Sequence, residues 1–560
     1  MKKKFIIQLT ALLFLLIIIP ETAFAAELLY SFVASPDQAL RADSDSRALA
    51  LQLALSSPEQ LAPQKEFVFP LPDGEPVSGT VIRTLEGGGP TDLEQQADSV
   101  TVITLADNGG ALRMIQEKGA VTGMILFDNN EQKIYRAALD STGSGILRED
   151  DLNKYLCVNF PVQDSEQDSE PVSAEMLSVA EQTPDLTVLQ NLESRPGASN
   201  TLYINFWGGT LSGTAWNDTY TGGQDITYSP YSYDMDTEFF SAPDRYNIWL
   251  AWEEVSEDYA PFDINVTTSE AVYLATPVAH RVRIIATTSD EFYSNRPAGG
   301  VSYLNAFKTS DDYYRTGWVW NSSAGALGIT ISHEAGHQIG GLQHDGTSRV
   351  AYYEGHSDWG PIMGAPYYKS YVQWSKGEYP DADNHEDDLN ILTGVLGSAV
   401  DDAGSSPLSA TALTLPVTGY EGLVTPEGIF PDIDQYSFYA SGSTRIELVP
   451  GTDRMKAFQD IDQAVNALMG STTPLALPTT CSGVTAVDLS EVGLENAARL
   501  AAERGVEIDP SVREYSVNTG LWGATIGGGV THDPWQEIPK EVYEQAVATQ
   551  SVDSKEYVVL

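Results

Sequence analysis

The chain has 560 residues, 78 acidic against 31 basic for a formal net charge of −47, with 42% hydrophobic and 10% aromatic residues. At about 100–200 residues per domain this is enough for three or four units, and the apolar content is too high for a mostly disordered chain. The acidity excludes nucleic acid and anionic membrane surfaces, which call for clustered Lys and Arg, and two cysteines, Cys157 and Cys481, exclude a disulfide-stapled scaffold.

The N-terminus opens with Lys2, Lys3 and Lys4, continues with an apolar run over 5–19, and reaches Ala23-Phe24-Ala25, a small-x-small pattern. This predicts a signal peptide over 1–25 and a secreted, extracellular product without a membrane anchor after cleavage. The run is shorter than the roughly 20 residues a membrane span needs.

Residues 26–195 are expected to form a mixed α/β prosegment, with strands at 99–104 and 121–127. It ends in an acidic linker over 163–170 and 181–185. An independent binding domain is the other reading of this unit.

A second unit, 196–400, begins with a predicted alternating strand at 202–206. Ile248, Trp249, Trp252 and Val255 recur at helical spacing, which predicts an amphipathic helix over 244–259. Strands follow at 262–267 and 282–287, and 299–307 reads as a strand at a sheet edge. A helix over 324–340 stops at Gly340-Gly341. The expected fold class is α/β (α+β), with a mixed twisted sheet and one helix carrying the chemistry. Residues 401–450 read as a small β-sandwich and 451–560 as a helical or irregular tail.

The chemistry lies in Ser332-His333-Glu334-Ala335-Gly336-His337, an H-E-x-x-H pattern. Positions i and i+4 share one helical face, so His333 and His337 can reach one zinc ion. Glu334, beside a ligand, can take a proton from a metal-bound water. His344 is the candidate third ligand. His356 and His385 are expected to support the site or to lie at the surface. Asp381, Asp383, Glu386, Asp387 and Asp388 could bind calcium or form a solvated loop.

His333 to Gly340 followed by His344-Asp345-Gly346 resembles the extended zinc motif of the metzincin metallopeptidases. Pro361-Ile362-Met363-Gly364 is similar to their Met-turn. The segments Glu257-Asp258-Tyr259-Ala260-Pro261-Phe262-Asp263-Ile264-Asn265-Val266-Thr267-Thr268 and Trp374-Ser375-Lys376-Gly377-Glu378-Tyr379 resemble a bacterial reprolysin-like branch. The resemblance covers about 200–400. It implies a metzincin-like catalytic domain, three histidine ligands and Met363 beneath the metal. That family's third histidine comes one residue earlier, where this chain has Gln343. A bulge at the Gly-Gly pair brings in His344; Gln343 facing the metal is the alternative.

Cys157 carries two readings, a thiolate that fills the open metal position as a zymogen switch, or a buried inert thiol. Residues 401–450 are similar in part to a pre-peptidase C-terminal domain. Residues 494–544 look like a stretch of argininosuccinate synthase, without the nucleotide-binding loop that a ligase would need. The expected function is thus a secreted zinc metalloprotease, a monomer acting on protein or peptide. The alternatives are a non-catalytic adhesion protein and a zinc hydrolase of another substrate.

Overall fold

The computed structural model describes residues 27–32 and 48–400, apart from 56–57, 71–75, 159, 164–183, 234 and 294–296, with a few short stretches beyond 400. The signal-peptide region, most of the acidic linker, Cys481 and nearly all of 401–560 lie outside the described residues. The described part is mixed α and β, with a curled, largely antiparallel sheet and few helices.

The N-terminal sheet has ten strands: β1 (Glu27–Leu28), β2 (Tyr30–Phe32), β3 (Ala48–Leu53), β4 (Glu66–Pro70), β5 (Pro76–Glu86), β6 (Ser99–Leu105), β7 (Gly110–Glu117), β8 (Ala120–Asp128), β9 (Lys133–Ala138) and β10 (Ser144–Asp150). Their spatial order is β1-β4-β5-β6-β7-β8-β9-β10-β3-β2. Strands β1 and β2 stand at opposite ends of that order yet are one residue apart in the chain, so the sheet curls back almost onto itself.

Period-two alternation explains why the middle strands read as continuous apolar runs. Leu112, Met124 and Leu126 point into the curl with Val81, Ile103 and Tyr135. Val100, Val102, Ala111, Ile115 and Ile125 point outward, into a second core shared with Trp216, Tyr220, Tyr303, Tyr314 and Trp318 of the following unit. Within residues 26–195 the α-helix found among the described residues is the four-residue Leu186–Leu189, and the rest is dominated by strands. Among described residues 48–163 the helical pieces are 3-10 turns only, because these runs repeat at period two and none repeats at 3.6.

The second unit is built on a six-stranded sheet. Its strands are β11 (Leu156–Cys157), β12 (Asn200–Asn205), β15 (Ile264–Thr267), β16 (Arg281–Ala286), β17 (Gly300–Tyr303) and β18 (Thr316–Val319), in the order β11-β17-β18-β16-β12-β15. A hairpin of β13 (Gly209–Leu211) and β14 (Ile226–Tyr228) stands apart. Strand β12 pairs in parallel with both neighbours and is buried along its whole length, so the predicted alternation is absent. A central parallel strand is covered on both faces.

Among the described residues six α-helices flank this sheet: α1 (Leu186–Leu189), α2 (Ala215–Tyr220), α3 (Ala242–Asp258), α4 (Glu270–Ala275), α5 (Ala324–Gly340) and α6 (Asp388–Leu396). Ser241 starts α3, exchanging a capping box with Asp244, and Pro243 fits the first turn. Its buried Ile248, Ala251 and Val255 meet Leu327, Ile331, Ala335 and Ile339 of α5 in one core with Leu202 and Ile204. No described helix is long and apolar enough to cross a membrane. The edge strand predicted over 299–307 is shorter, because Asn305 at φ 57° turns the chain into a 3-10 turn, Ala306–Lys308. Nor is that edge free: β11 pairs with it.

Candidate metal centre

Helix α5 places His333 and His337 one turn apart, both fully buried, with their Nε2 atoms 3.0 Å apart. The other ring nitrogens point at backbone carbonyls, His333 Nδ1 at Ile362 at 2.9 Å and His337 Nδ1 at Leu342 at 2.6 Å. A carbonyl only accepts, so each Nδ1 carries the proton and each Nε2 presents a bare lone pair. Burial, reinforced by the neighbouring imidazoles, drives both pKa values well below the ordinary 6.5. Two facing lone pairs at 3.0 Å repel unless a cation lies between them. This is the observation that fits a metal ion.

Gly341 ends the helix in the left-handed region at φ 69°, and a Cβ there would strike the Asn305 side chain. The chain turns back and sets the His344 ring centroid 4.9 Å from that of His337 and 5.6 Å from that of His333. The extra residue is absorbed at Gln343, whose N–H donates to Glu386 Oε2 at 2.9 Å and whose amide donates to the Gly341 carbonyl at 3.1 Å. It is therefore His344 rather than Gln343 that joins the helical pair. Burial pushes the His344 pKa down to about 4, so its ring is neutral at pH 7.

The acidic residues of 381–386 hold this return loop. Asp383 Oδ1 accepts from the Gly346 N–H at 2.9 Å, and Asp381 Oδ2 from the Ser348 hydroxyl at 2.6 Å. Among the described residues, the cluster whose ligand atoms converge is Cys157, His333, His337 and His344, all within 4.8 Å of one another. Among the described residues the acidic loop forms no such group. This Cys/His group could bind a metal ion.

Beneath the histidines, the Gly364 N–H donates to the Pro361 carbonyl at 3.0 Å and closes a turn that buries Met363. A Cβ on Gly336 would lie 3.0 Å from Met363 Sδ, so a side chain between the two helical histidines would crowd that turn. Asp345 ties the loops together, its N–H donating to the Met363 carbonyl at 2.8 Å.

Glu334 faces the cluster from the side of β17. Ser302 donates to its Oε2 at 2.6 Å, and burial raises its carboxyl pKa to about 8. A Cβ on Gly300 would come within 2.6 Å of Glu334 Oε1, so the edge strand passes this close only because that position is glycine.

Cys157 arrives on β11, antiparallel to β17, with Leu156 opposite Tyr303 and Cys157 opposite Ser302. Its thiol is fully buried, 3.7 Å from Glu334 Oε1 and 4.0 Å from the Tyr352 hydroxyl. The Phe160 ring packs against His333 with centroids 4.0 Å apart and the planes tilted by 41°.

His356 is exposed, with its Nδ1 3.1 Å from the Tyr353 hydroxyl. It lies in a surface turn after Gly355 and takes no part in the cluster, which corrects its expected supporting role. His385 is exposed as well. Ser302, Tyr352 and Phe160 were not singled out from sequence. Only Phe160 carried any signal, its closeness to Cys157.

No protein-family profile matches the chain, and no solved structure matches it. Similar curated proteins include argininosuccinate synthase of Methanopyrus kandleri, 47% identical over 49 residues, 9% of this chain and 12% of that protein. Those of Dictyoglomus thermophilum and Dictyoglomus turgidum are 40% identical over 50 residues, 9% of this chain and 13% of each relative. The chain thus spans about an eighth of the length of these relatives. The metzincin resemblance, its reprolysin-like branch and the pre-peptidase C-terminal likeness are therefore overturned: no family profile matches, and the similarity to argininosuccinate synthase covers only 9% of the chain.

Proposed function

We propose that this chain is a secreted zinc-dependent endopeptidase held latent by its own segment 155–163. The supporting observation is the convergence of three histidines on one point beside a buried glutamate. A set of three imidazole nitrogens and one thiolate suits four-coordinate zinc, with His333, His337 and His344 as lasting ligands and Cys157 as the replaceable fourth. When bound, zinc acts as a Lewis acid and lowers the pKa of a water to about 7.

The chain's own residues do the rest. Glu334, with Oε2 held by Ser302, takes the proton of the attacking water at Oε1 and passes it to the leaving amine. The Tyr352 hydroxyl, 3.3 Å from His344 Nε2, faces the same space and is a donor for the developing oxyanion. The backbone of β17 receives an extended peptide, as it receives β11. That pairing favours a peptide over other hydrolysable substrates. In this reading residues 26–195 are the prosegment and 196–400 the catalytic domain.

The test is casein digestion by full-length protein carrying Cys157→Ala, with and without a zinc chelator, alongside metal analysis. Digestion that follows bound zinc supports the proposal. Digestion indifferent to the chelator, or a zinc-loaded protein that cuts no peptide, defeats it.

A further inference from the structure

Two carboxylates are buried behind the loop that carries His344. Asp345 follows that histidine, and Asp388 opens α6; both side chains are fully buried. Ser375 stands between them. Its N–H donates to Asp388 Oδ2 at 3.1 Å, its carbonyl accepts the Asp388 N–H at 3.1 Å, and its side chain interacts with Asp345. The Tyr379 hydroxyl donates to the Gly346 carbonyl at 2.9 Å and lies 3.4 Å from Asp345 Oδ1. The other two oxygens, Asp345 Oδ2 and Asp388 Oδ1, are buried without a hydrogen-bond partner.

Such orphaned oxygens are rare, because each costs the hydration it gave up. The surroundings make the cost larger. Glu378 and Asp383 bear on Asp345, and Asp345, Glu386 and Asp387 bear on Asp388, all with the same sign. Burial, reinforced by that repulsion, raises the Asp345 pKa to about 7 and that of Asp388 well above the ordinary 3.8. Among the described residues no lysine, arginine or histidine forms an ion pair with any of these acids. A cation between Asp345 and Asp388 removes the penalty and uses both orphaned oxygens. Every donor here is an oxygen, and the donors come from three separate segments in an irregular arrangement. That set suits calcium, rather than zinc with its nitrogen and sulfur ligands or magnesium with its strict octahedron. Neutral oxygens, those of Ser375, Tyr379 and water, complete the six to eight that calcium takes.

We infer that Asp345 and Asp388 form a second cation site, for calcium, which fastens the return loop to Ser375 and the start of α6. It shares no ligand with the histidine cluster and does not depend on the peptidase reading. Its two carboxylates act on the histidines as positioning residues. Asp345 adjoins His344, and its N–H donates to the carbonyl of Met363 at 2.8 Å, so an ion held here fixes both loops beneath the cluster.

The experiment uses the full-length protein, freed of calcium on a chelating resin and then reloaded with zinc. Calcium chloride is expected to bind saturably in calorimetry, with a Kd on the order of 10⁻⁴–10⁻³ M, the range of extracellular calcium modules. At about 10 mM it should raise the melting temperature by roughly 3–8 °C, and magnesium chloride should not. Asp345→Asn and Asp388→Asn keep the side-chain shape and remove the charge. Each is expected to lose the calcium-induced rise, yet to be at least as stable as the parent without calcium, because a buried charge is gone. Asp381→Asn, at an exposed position of the acidic loop, should keep the rise. No heat and no melting shift in the parent overturns the site, as does an equal shift from magnesium or a calcium shift that survives in both buried variants. Where a buried variant does not fold, terbium decides on the parent chain. Its luminescence, excited through the Tyr379 ring, is expected to be displaced by calcium and dimmed by Tyr379→Phe; luminescence unchanged by either overturns the assignment.

Discussion

Cys157 Sγ lies 3.7 Å from Glu334 Oε1, although 177 residues separate them in the chain. The thiol therefore occupies the space in which the proposed general base would meet a water. In the proposed mechanism a single buried side chain would then block both the fourth metal position and the proton acceptor.

Removing that thiol is expected to unmask activity. Full-length Cys157→Ala should hydrolyse casein at least about ten times faster than the parent chain, since a thiolate is a strong zinc ligand and alanine is none. Equal latency in the two proteins would make Cys157 an inert core thiol.

Glu334→Gln keeps the size and hydrogen-bonding reach of the side chain but loses its basicity. In a Cys157→Ala background it should retain zinc and lose activity by about 10²–10⁴-fold, the usual contribution of a positioned general base. Zinc retained with activity unchanged would remove Glu334 from the mechanism.

His344→Ala and Gln343→Ala separate the two candidates for third ligand. Loss of His344 should weaken zinc affinity by more than about 100-fold, beyond what loss of a supporting group costs. Gln343→Ala should cost far less, because its side chain reaches only the Gly341 carbonyl. Competition with a chromogenic chelator reads both; the reverse ranking would put Gln343 at the metal.

Asp150 sets a pH dependence on the docking of segment 150–158. Burial opposes its ionisation, but hydrogen bonds from Tyr155, Lys154, the Asp151 N–H and Arg136 outweigh this and hold its carboxyl well below the ordinary 3.8. A depressed folded-state pKa stabilises the fold above the unfolded value and ceases to do so as pH falls toward the folded one. The parent chain should therefore exceed Asp150→Asn in stability by about 1 kcal/mol at pH 7, a modest figure because the site is partly solvated. That gap should close below about pH 4. A gap unchanged between pH 7 and pH 3 would refute the assignment.

The N-terminal sheet also grips the second unit through Arg83 on β5, whose Nε lies 2.9 Å from the fully buried Asp218. Arg83→Ala leaves that carboxylate with the Tyr313 hydroxyl at 2.9 Å and should destabilise the chain by about 2–4 kcal/mol. Thermal unfolding measures this; a change within about 0.5 kcal/mol would show that the ion pair is not needed for docking.

Sequence by itself determined what depends on neighbours in the chain. Helix α5 matched its predicted bounds, and His333 and His337 fell on one face, because the 3.6-residue period and the glycine stop are local properties of the backbone. Strands β6 and β8 were legible for the same reason, through their apolar runs. The tertiary structure alone decided what depends on distant segments meeting. It brought His344 rather than Gln343 to the pair, through a loop held by Glu386 and Asp383. It moved His356 to the surface, brought Ser302 and Tyr352 to the site, and buried Phe160 against His333. It also turned the outer face of an all-β sheet into a core shared with the second unit. These outcomes rest on register and packing between strands and loops tens to hundreds of residues apart, and no periodicity within one segment encodes them.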